Sequence, residues 1–579
     1  MSSLDKTKVV HALRDIALLL QLKGENAYRC RAYEMGADRI AGVAEDLSKL
    51  MAEDRLRELP GIGDALAEKI KELIATGRMQ FLESLRAEFP PGMLDLLRIP
   101  DLGPRKAAAL WLHLQVGDID SLESACREGK VAPLKGFGER TQEKILAAIE
   151  LFRRSAGRQR LGDMLPIAED LLSQVRAIPG VIRAELAGSA RRFCETVADV
   201  DIIASAEQAV PVLGAFAALP RVSQVLGQGE TKCSVRLLPQ DYQADLRVVP
   251  NEDFATALHH FTGSKAHHIR LRGMALDRGL KISEWGVQRG DQKLPVHSEE
   301  DLYRLLDLQY VPPELREDRG EVEAAAAREL PTDLISDGDL RGVVHSHSTW
   351  SDGRSSLQAM AEAARALGYR YLTVTEHSQS ANYAGGLTSD DLKRQWDEID
   401  QLNEQMADFR LLKGSEVDIL ESGELDFPDD LLEKLDVVIA SIHVRFGMDE
   451  EQMTQRVLGA FDNPHLHILG HPTGRLINAR EPYALRMEEI AEKAARNGVV
   501  LEVNGNPRRL DLHAEHVRIA LRHGAKLVVS ADAHSLADLG NLKFGAGTAR
   551  KGWARKADVL NTLPAMDFVA SLKQMRRAS

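Results

Sequence analysis

The hydrophobic and polar positions of the chain follow different periods in three successive regions. From residue 1 to about 155, apolar residues recur at the three- to four-residue spacing of amphipathic helices, and glycines separate the short helical stretches. From about 160 to 315, apolar runs typical of strands alternate with helical stretches. Beyond about 338, β-branched runs alternate with amphipathic helices to residue 575, as in successive β/α units. The pattern predicts a multidomain α/β protein whose N-terminal part is helical.

A Gly-centred turn followed by an amphipathic helix occurs three times in the helical region. The copies are LRELPGIGDALAEKIKELIATG (56–77), LLRIPDLGPRKAAALWLHL (96–114) and APLKGFGERTQEKILAAIEL (132–151), and the second has Asp101 in place of its first glycine. Such glycines expose backbone N–H groups at a helix N-terminus, where a phosphate can bind. An ordinary helical hairpin is the alternative for any one copy, but three copies followed by basic helices favour contact with a phosphate backbone. The candidate residues are Gly61, Gly63, Lys69, Gly103, Arg105, Gly136 and Gly138.

The middle region carries three aspartates in apolar strands. Asp199 and Asp201 lie two apart, so their carboxylates share one face of a strand, and Asp245 lies in the middle of a second strand. Aspartates in turns at strand ends are the alternative, but the first two are flanked by Val and Ile. Three close carboxylates repel one another unless cations neutralise them, and hard oxygen ligands suit Mg²⁺ or Mn²⁺. Two such ions could activate a hydroxyl and stabilise a leaving pyrophosphate, with Ser189 and Arg192 holding a triphosphate.

Histidines are concentrated in the C-terminal region, where 11 of the 18 in the chain lie between positions 345 and 534. Seven apolar runs end in chemically active side chains, namely His345, His347, Glu376, His377, Glu416, His443, His471, Asp532 and His534. A barrel of β/α units places its chemistry at these strand ends. A mixed set of imidazoles and carboxylates indicates two or three Zn²⁺, Mn²⁺ or Fe²⁺ ions. A core or surface role is the alternative for the remaining histidines, His465, His467, His513, His516 and His523.

Composition and charge narrow the class of protein. The 579 residues are 44% hydrophobic and 28% charged, which excludes disordered and fibrous proteins. The net charge is −13, but an acidic chain can still bind a polyanion through local Lys, Arg and backbone donors. No uncharged apolar run approaches the ~18 residues that span a bilayer, and the start of the chain lacks a signal peptide, so we expect a cytoplasmic protein. The cysteines form no CxxC pair, so we expect reduced thiols at Cys30, Cys126, Cys194 and Cys233.

The three Gly-centred turns resemble helix-hairpin-helix motifs, and their order resembles the N-terminal domains of family X DNA polymerases, as does the segment KGENAYRCRAYEMGADRI (23–40). The resemblance implies a lyase-like domain over 1–85 and a fingers domain over 86–158. In the polymerase beta branch of the family, a lysine six residues beyond the second glycine attacks an abasic sugar, and Lys69 falls at that offset. A nucleophilic lysine needs a lowered pKa. A lysine that only contacts a phosphate is the alternative.

The GSxRR element, the DxD pair, the third Asp and the segment FTGSK (261–265) resemble the palm and thumb of the same family. The resemblance implies a nucleotidyltransferase-type α/β palm over 159–250 and a thumb over 251–315. It also implies that Asp199, Asp201 and Asp245 are catalytic metal ligands for Mg²⁺ or Mn²⁺. Nucleotide-binding residues would be Gly188, Ser189, Arg192, His260, Phe261, Gly263, Lys265 and His268, and Arg272 would contact DNA. Animal members usually have Tyr at the position of His260, which leaves sugar selectivity open.

The elements HxH, SDG, EH, GSE, SxH, GHP and DAH occur in order and resemble the PHP (polymerase and histidinol phosphatase) domain. The resemblance implies a distorted (β/α)7 barrel over 338–579. The charged stretch before it has prolines at both ends of a short helical segment, which predicts a linker at 316–337. The resemblance also implies up to three Mn²⁺, Zn²⁺ or Fe²⁺ ions, with Glu416 shared by the first two. The first ion would be held by His345, His347, Glu416 and Asp532, the second by Glu416, His443 and His471, and the third by Asp352, His377 and His534.

Together the resemblances imply a polymerase that fills short gaps during DNA repair, using gapped or nicked DNA and dNTPs. The PHP domain would act as a Mn²⁺-dependent 3′→5′ exonuclease, and incision at abasic sites and removal of 3′ phosphates are further activities of such a site. One alternative is a small-molecule phosphatase, of the histidinol-phosphate type, tethered to a DNA-binding region. Another is a non-catalytic scaffold for DNA ends. The sequence shows no coiled-coil heptads, so we expect a monomer. Because no apolar run is long enough to span a bilayer, we expect no membrane partner.

Overall fold

The structure is a computed structural model that describes residues 2–42, 47–53, 55–59, 61–97, 99, 102–154, 157–238 and 241–577. The chain divides into two compact units. The first contains Met1–Arg158, Leu213–Asp245 and Asn478–Arg480, and the second contains Gln159–Val212, Leu246–Ile477 and Glu481–Ser579. Within the described ranges, no helix is long and apolar enough to cross a membrane.

A helical region begins the first unit. Its helices are α1 (Ser2–Leu22), α2 (Ala27–Gly42), α3 (Leu47–Ala52), α4 (Asp64–Thr76), α5 (Gln80–Ala87), α6 (Met93–Leu96), α7 (Pro104–Leu114), α8 (Ile119–Arg127) and α9 (Glu139–Arg154). Residues three and four apart share one face of a helix, so the apolar positions form a stripe on each helix. These stripes meet in a common core in which Leu13, Ile16, Ile70 and Leu110 are fully buried. The helical N-terminal region expected from the sequence is confirmed.

A five-stranded sheet follows in the order β2-β4-β7-β6-β5. The strands of this part of the chain are β1 (Gln159–Arg160), β2 (Val181–Leu186), β3 (Thr196–Val197), β4 (Asp199–Ala206), β5 (Val222–Gln228), β6 (Lys232–Leu237) and β7 (Tyr242–Val249). The helices between them are α10 (Leu161–Arg176), α11 (Gly188–Arg191) and α12 (Ala209–Ala217). Strands β2 and β4 are antiparallel, with Leu186 opposite Ile202. The division between the two units falls within β7, directly after Asp245.

A smaller mixed region comes next in the second unit. Its elements are α13 (Phe254–Thr262), α14 (Lys265–Asp277), β8 (Lys281–Ser283), β9 (Gly286–Arg289), β10 (Gln292–Leu294), α15 (Glu299–Leu305) and α16 (Glu321–Ala327). The strands form an antiparallel sheet in the order β10-β9-β8. Residues 316–337, which we expected to be a linker, include α16 and contribute Val322, Ala325 and Leu330 to the core of this region.

The C-terminal region is a barrel of parallel strands in sequence order. The strands are β11 (Gly342–Val343), β12 (Tyr371–Val374), β13 (Arg410–Asp418), β14 (Val437–Ser441), β15 (Ile468–Leu469), β16 (Val500–Asn504) and β17 (Leu527–Ser530). The helices are α17 (Leu357–Ala366), α18 (Ser389–Gln405), α19 (Asp429–Leu432), α20 (Glu450–Ala460), α21 (Met487–Asn497), α22 (Ala514–Arg522), α23 (Leu542–Lys551) and α24 (Ala565–Arg577).

The barrel closes through backbone contacts between its first and last strands. Ser346 and Ala533 form a parallel bridge, and Ala531 N donates to Val344 O over 3.1 Å. Strands β12, β14, β16 and β17 are buried along their whole length, which explains their continuous apolar runs. The β/α barrel expected from the alternating pattern is confirmed, and closure brings the carboxyl ends of all seven strands around one opening.

Candidate metal centres and nucleic-acid contacts

Three carboxylates come together on β4 and β7. Asp199 and Asp201 lie at the start of β4, and Asp245 lies within β7. One oxygen of each carboxylate lies within 4.8 Å of the other two. Lys232 Nζ lies 2.6 Å from Asp245 Oδ2 and offsets part of the negative charge. Three close carboxylate oxygens form the hard donor set that Mg²⁺ and Mn²⁺ prefer, so these residues fit the expected ions.

Nine side chains at the carboxyl ends of the barrel strands converge on a second site. Their ligand atoms form four overlapping groups, and within each group these atoms lie within 4.8 Å of one another. The four groups are His347, Asp352, His377 and His534; His345, His347 and Asp532; His345, Glu416 and His471; and His377, Glu416 and His443. All nine expected residues therefore lie together. The groups overlap because four residues each belong to two of them, namely His345, His347, His377 and Glu416. His347 lies between Asp532 and the Asp352 group, and His377 lies between that group and Glu416.

Glu416 occupies the centre of this site. Its Oε1 lies 2.9 Å from His471 Nε2 and 3.3 Å from His443 Nε2, and its Oε2 lies 2.9 Å from His377 Nδ1 and 3.3 Å from His345 Nε2. Burial by itself raises the pKa of Glu416, but His345, His443 and His377 hold it well below its usual range. The central group is therefore a carboxylate anion that can bridge two cations.

The chemistry of the nine residues fits bound metal ions. Both ring nitrogens of His347 are buried without a hydrogen-bond partner among the described residues. A buried polar atom without a partner costs free energy, and a metal ion at this position would remove that cost. Imidazole and carboxylate together suit Mn²⁺, Zn²⁺ or Fe²⁺.

Glu376 ends the same strand as His377 but has a different role. It lies outside the four groups and accepts hydrogen bonds from Ser348 N over 2.9 Å and from Gln395 Nε2 over 3.2 Å. Burial raises its pKa to about 7. Glu376 therefore fixes the loop that follows His347 rather than joining the cluster.

Comparisons with known proteins match each region of the chain. Family models described as "Helix-hairpin-helix domain", "SAM-like Helix-hairpin-helix tandem", "DNA polymerase beta thumb" and "PHP domain" match residues 5–79, 93–150, 257–317 and 344–506. The protein named DNA polymerase/3'-5' exonuclease PolX of Bacillus subtilis is 40% identical over 574 residues, which cover 98% of this chain and 99% of that protein. The chain belongs to the family X DNA polymerases that carry a C-terminal PHP domain.

Shorter relatives match only the PHP region. A protein named "probable phosphatase" from Clostridium novyi is 28% identical over 209 residues, which cover 34% of this chain and 80% of that protein. Another of the same description, from a Thermoanaerobacter species, is 29% identical over 219 residues, covering 34% of this chain and 86% of that protein.

The first residue of the GSxRR element in this family X polymerase has to be glycine, because an aspartate occupies the space that a side chain would need. Gly188 has a φ of +60°, and a Cβ at this position would overlap Asp201 Oδ2. The backbone of the turn therefore lies directly against the carboxylate cluster. Ser189 follows in this turn, and its carbonyl accepts a hydrogen bond from Cys194 N over 3.0 Å.

Arg192, an expected triphosphate contact, is paired with an acidic side chain. Its Nε lies 3.2 Å from Glu317 Oε1, and Lys551 Nζ of helix α23 lies 2.7 Å from the same oxygen. Lys551 also donates to Arg192 O over 2.9 Å. Burial by itself raises the pKa of Glu317, but Lys551 and Arg192 lower it by more, so the pKa lies below its usual value and Glu317 is ionised.

The neighbouring arginine, to which the sequence assigned no role, ties the palm turn to the thumb. Arg191 makes two contacts with Glu299, of 3.0 and 2.6 Å. Arg316 Nη1 lies 2.5 Å from the same carboxylate and is fully buried. The GSxRR element contains Arg191, but its partner Glu299 is 108 positions away and leaves no local signal.

The expected thumb contacts surround the start of α14. His260 Nδ1 lies 3.2 Å from His268 Nε2, and burial lowers the pKa of His268 to about 4. The guanidinium carbon of Arg247 lies 4.4 Å from the ring centre of Phe261. Gly263 has a φ of +72° and approaches Arg192. The exposed side chains of this set are those of Lys265 and Arg272.

The glycines of the helical hairpins lie at helix N-termini with open space around them. Gly63 and Gly103 are the residues directly before α4 and α7. Gly61, Gly136 and Gly138 have positive φ angles. No described atom outside their chain neighbours lies within 4 Å of a Cβ placed on any of the five. Backbone N–H groups at such turns can approach a phosphate closely. Asp101 lies outside the described residues, and Arg105 lies in the first turn of α7.

Lys69 lies on α4, half-buried against an aromatic ring. Its Nζ donates to Ala65 O over 3.1 Å and lies 5.0 Å from the ring centre of Phe81. Because α4 begins directly after Gly63, the amine of Lys69 lies on the same hairpin as Gly61 and Gly63.

Residues next to the PHP ligands were missed by the sequence analysis. Asp418 Oδ1 lies 2.7 Å from His443 Nδ1, and Glu502 Oε1 lies 2.6 Å from His345 Nδ1. Such contacts orient a histidine so that its other nitrogen faces the metal. The sequence does carry a signal for Asp418, because it lies two residues after Glu416 on one strand and therefore shares its face.

Arg509 also lies next to the metal site. Its Nε is 3.2 Å from Asp532 Oδ2. Two histidines outside the nine have structural roles, since His467 Nδ1 accepts a hydrogen bond from Val438 N and His513 caps α22.

Proposed function

We propose that this protein is a DNA-directed DNA polymerase that fills short gaps during repair and trims 3′ ends with its PHP domain. The observation that carries the proposal is the presence of two complete ligand sets, one of three carboxylates and one of nine mixed side chains. Both belong to a chain that matches a named polymerase and exonuclease along its whole length.

In the polymerase site, Asp199, Asp201 and Asp245 would hold two Mg²⁺ or Mn²⁺ ions. Such ions, when bound, activate the primer hydroxyl and neutralise the leaving pyrophosphate. Gly188 lets the backbone of the palm turn approach the triphosphate, and Ser189 and Arg192 bind its oxygens. The incoming dNTP displaces Glu317 from Arg192, so Glu317 holds the arginine in place before the nucleotide arrives.

In the PHP site, the nine side chains would hold up to three Mn²⁺, Zn²⁺ or Fe²⁺ ions. Such ions, when bound, lower the pKa of a water molecule and stabilise charge on phosphate oxygens. Asp418 and Glu502 keep the ligand histidines oriented, and the ionised Glu416 bridges the two halves of the site. The proposed activity is 3′→5′ hydrolysis of DNA, with removal of 3′ phosphates and incision at abasic sites as further reactions of the same chemistry.

The proposed substrate is gapped or nicked DNA, with dNTPs for extension. The open glycine turns before α4, α7 and α9 support it, since they suit contact with phosphates without reading bases. Lys69 would lie at the 5′ side of the gap, either as a Schiff-base nucleophile or as a residue that binds a phosphate. Borohydride trapping on abasic DNA distinguishes these two roles, because only a Schiff base is trapped. A DNA substrate also favours the cytoplasmic location expected from the sequence.

Separate variants test the two sites. We expect Asp201→Asn to abolish extension of a primer in a 5′-phosphorylated gap, with Asp241→Asn, on an exposed turn, as the matched control. We expect His345→Ala to abolish degradation of single-stranded DNA, with His523→Ala, which pairs with Glu488 on the surface, as its control. Extension by the first variant, or degradation by the second, at the rate of the unsubstituted protein would refute the assignment of that site.

A second candidate function is a small-molecule phosphatase, which the names of the shorter PHP relatives favour. Hydrolysis of histidinol phosphate with a higher kcat/KM than DNA would support it. A higher kcat/KM for DNA would support the exonuclease.

A further inference from the structure

An exposed aromatic ring lies beside the PHP ligands. The ring centre of Tyr383 is 6.5 Å from that of His377 and 6.4 Å from that of His443. The two histidine side chains are only 7% and 10% exposed, whereas Tyr383 is 67% exposed. Tyr383 therefore lies on the rim of the site, between the buried ligands and solvent.

The loop that carries Tyr383 is held in place by its backbone. Tyr383 lies in a short helical turn, Asn382–Ala384, that directly follows the strand end of His377. Leu387 N donates to His377 O over 2.9 Å and closes the loop back onto this ligand. A Cβ at Gly386 would overlap Ser378 O, so the loop backbone packs directly against the strand end. The backbone that carries the ring is therefore held close to the proposed metal ligands.

A second exposed apolar side chain neighbours a proposed ligand in the sequence. Val444 directly follows the ligand His443 in the sequence and is 51% exposed. The site itself is lined by charged and imidazole groups that suit a phosphate, but an exposed ring and a valine do not. These two side chains instead suit the flat apolar face of a nucleobase.

We propose that Tyr383 stacks on the base of the 3′-terminal nucleotide while its phosphodiester lies at the PHP ligands. This inference rests on the proposed exonuclease and goes beyond it by naming the part of the substrate that is recognised. Stacking on an aromatic ring is tolerant of base identity, because every base has a π face. The PHP site would therefore favour DNA ends that carry a base over ends that lack one.

The test compares two single-stranded oligonucleotides that differ only in whether the last nucleotide carries a base. We expect Tyr383→Ala to lower kcat/KM about 5- to 100-fold on the end with a base, the range of one stacked base, and to leave the baseless end unchanged. Tyr383→Phe keeps the ring and should match the unsubstituted protein on both ends. Leu367→Ala is the control, because Leu367 is also exposed but follows the C-terminus of α17, on the opposite side of the barrel from the site.

A binding measurement gives a second readout that does not depend on metal or turnover. In EDTA, the fluorescence of a 3′-terminal 2-aminopurine should be quenched on binding to the unsubstituted protein and to Tyr383→Phe, and less so with Tyr383→Ala.

Three results would overturn the stacking role alone. They are an equal loss on both ends in Tyr383→Ala, a loss in Tyr383→Phe, and unchanged activity on the end with a base in Tyr383→Ala. Failure of the unsubstituted protein to degrade either oligonucleotide would instead refute the exonuclease on which the inference rests.

Discussion

At the scale of single residues, the PHP site depends on carboxylates that hold histidines in fixed orientations. His443 meets Glu416 through Nε2 and Asp418 through Nδ1, so each ring nitrogen has a defined partner. Asp418 in turn accepts a hydrogen bond from Ser380 Oγ over 2.6 Å. A ligand that is fixed from behind needs no reorganisation when a metal ion binds.

We predict that Asp418→Asn lowers exonuclease activity or Mn²⁺ affinity by about 10- to 100-fold, because the amide no longer fixes the orientation of His443. Degradation rates measured across a Mn²⁺ titration test this, and primer extension in the same preparation should not change. Asp408→Asn is the matched control, since Asp408 forms an exposed pair with Arg365. An equal effect in both variants would rule out the orienting role.

Eight of the nine proposed metal ligands could be foreseen from the apolar pattern, because each stands at the end of an apolar run or within one strand. Asp352 and the grouping came only from the resemblance to PHP domains, because the grouping depends on how closure of the barrel turns each strand end. His347 shows this, since it lies between Asp352 and Asp532, which are separated by 180 positions. The partners of Arg191 were missed for the same reason.

At the scale of elements, the turn between β2 and α11 sets the polymerase site. Its glycine has a backbone conformation that L side chains rarely adopt, and it touches Asp201. The turn therefore fixes how closely Ser189 and Arg192 can approach the carboxylates.

We predict that Gly188→Ala lowers primer extension on the order of 100-fold, because a displaced Asp201 misaligns the reacting groups. Exonuclease activity should remain, which shows that the protein is folded. Gly214→Ala, in helix α12 with nothing within 4 Å of the added Cβ, should extend primers normally. Normal extension by Gly188→Ala would show that the close contact has no functional role.

The thumb is held to the palm turn by a buried carboxylate between two arginines. Burial raises the pKa of Glu299, but Arg316 and Arg191 reverse this effect and lower it to about 2. The folded-state pKa is therefore below that of the unfolded chain. The resulting stability is fully present above about pH 4.5 and is lost as the pH falls towards 2.

We predict that Glu299→Gln lowers the free energy of unfolding by about 3 to 5 kcal/mol at pH 7, because it leaves the buried Arg316 and the partly buried Arg191 without their anion. Urea unfolding at several pH values should show this difference shrinking below about pH 4.5. Glu300→Gln, exposed on the same helix, should have little effect at any pH. A difference that is independent of pH would contradict an electrostatic origin.

The sequence predicted helices and strands in the palm and thumb, but it did not predict how the charged segment 316–337 packs. We expected a connector there because the segment is charged and prolines flank its short helical stretch. Two of its charges are instead buried in ion pairs, Arg316 with Glu299 and Glu321 with His267. Composition does not show whether a charged side chain faces water or a buried partner, so this segment was misjudged.

At the scale of the second unit, the palm and the PHP domain are joined by an ion pair that spans 280 positions of sequence. Arg475 makes two contacts with Glu195, of 2.6 and 3.1 Å. Its Nε also donates to Arg509 O over 2.9 Å, in the loop that places Arg509 beside Asp532. The contact therefore links a palm loop to a loop of the PHP site.

We predict a coupling energy of about 1 to 3 kcal/mol between Glu195→Gln and Arg475→Gln in a double-mutant cycle of unfolding, since the pair is bidentate and mostly shielded from water. The exposed Arg365–Asp408 pair should give less than about 1 kcal/mol in the same experiment. Equal coupling for the two pairs would show that the domain contact adds no particular stability.

The central claim is that two separate metal sites act on one DNA 3′ end. Its most direct test is a primer with a mismatched 3′ nucleotide in a gap, with dNTPs and Mn²⁺, followed over time. The unsubstituted protein should remove the mismatch and then fill the gap, Asp201→Asn should only shorten the primer, and His345→Ala should leave the mismatch while extending a matched primer normally. Removal of the mismatch by His345→Ala, or gap filling by Asp201→Asn, would contradict the account.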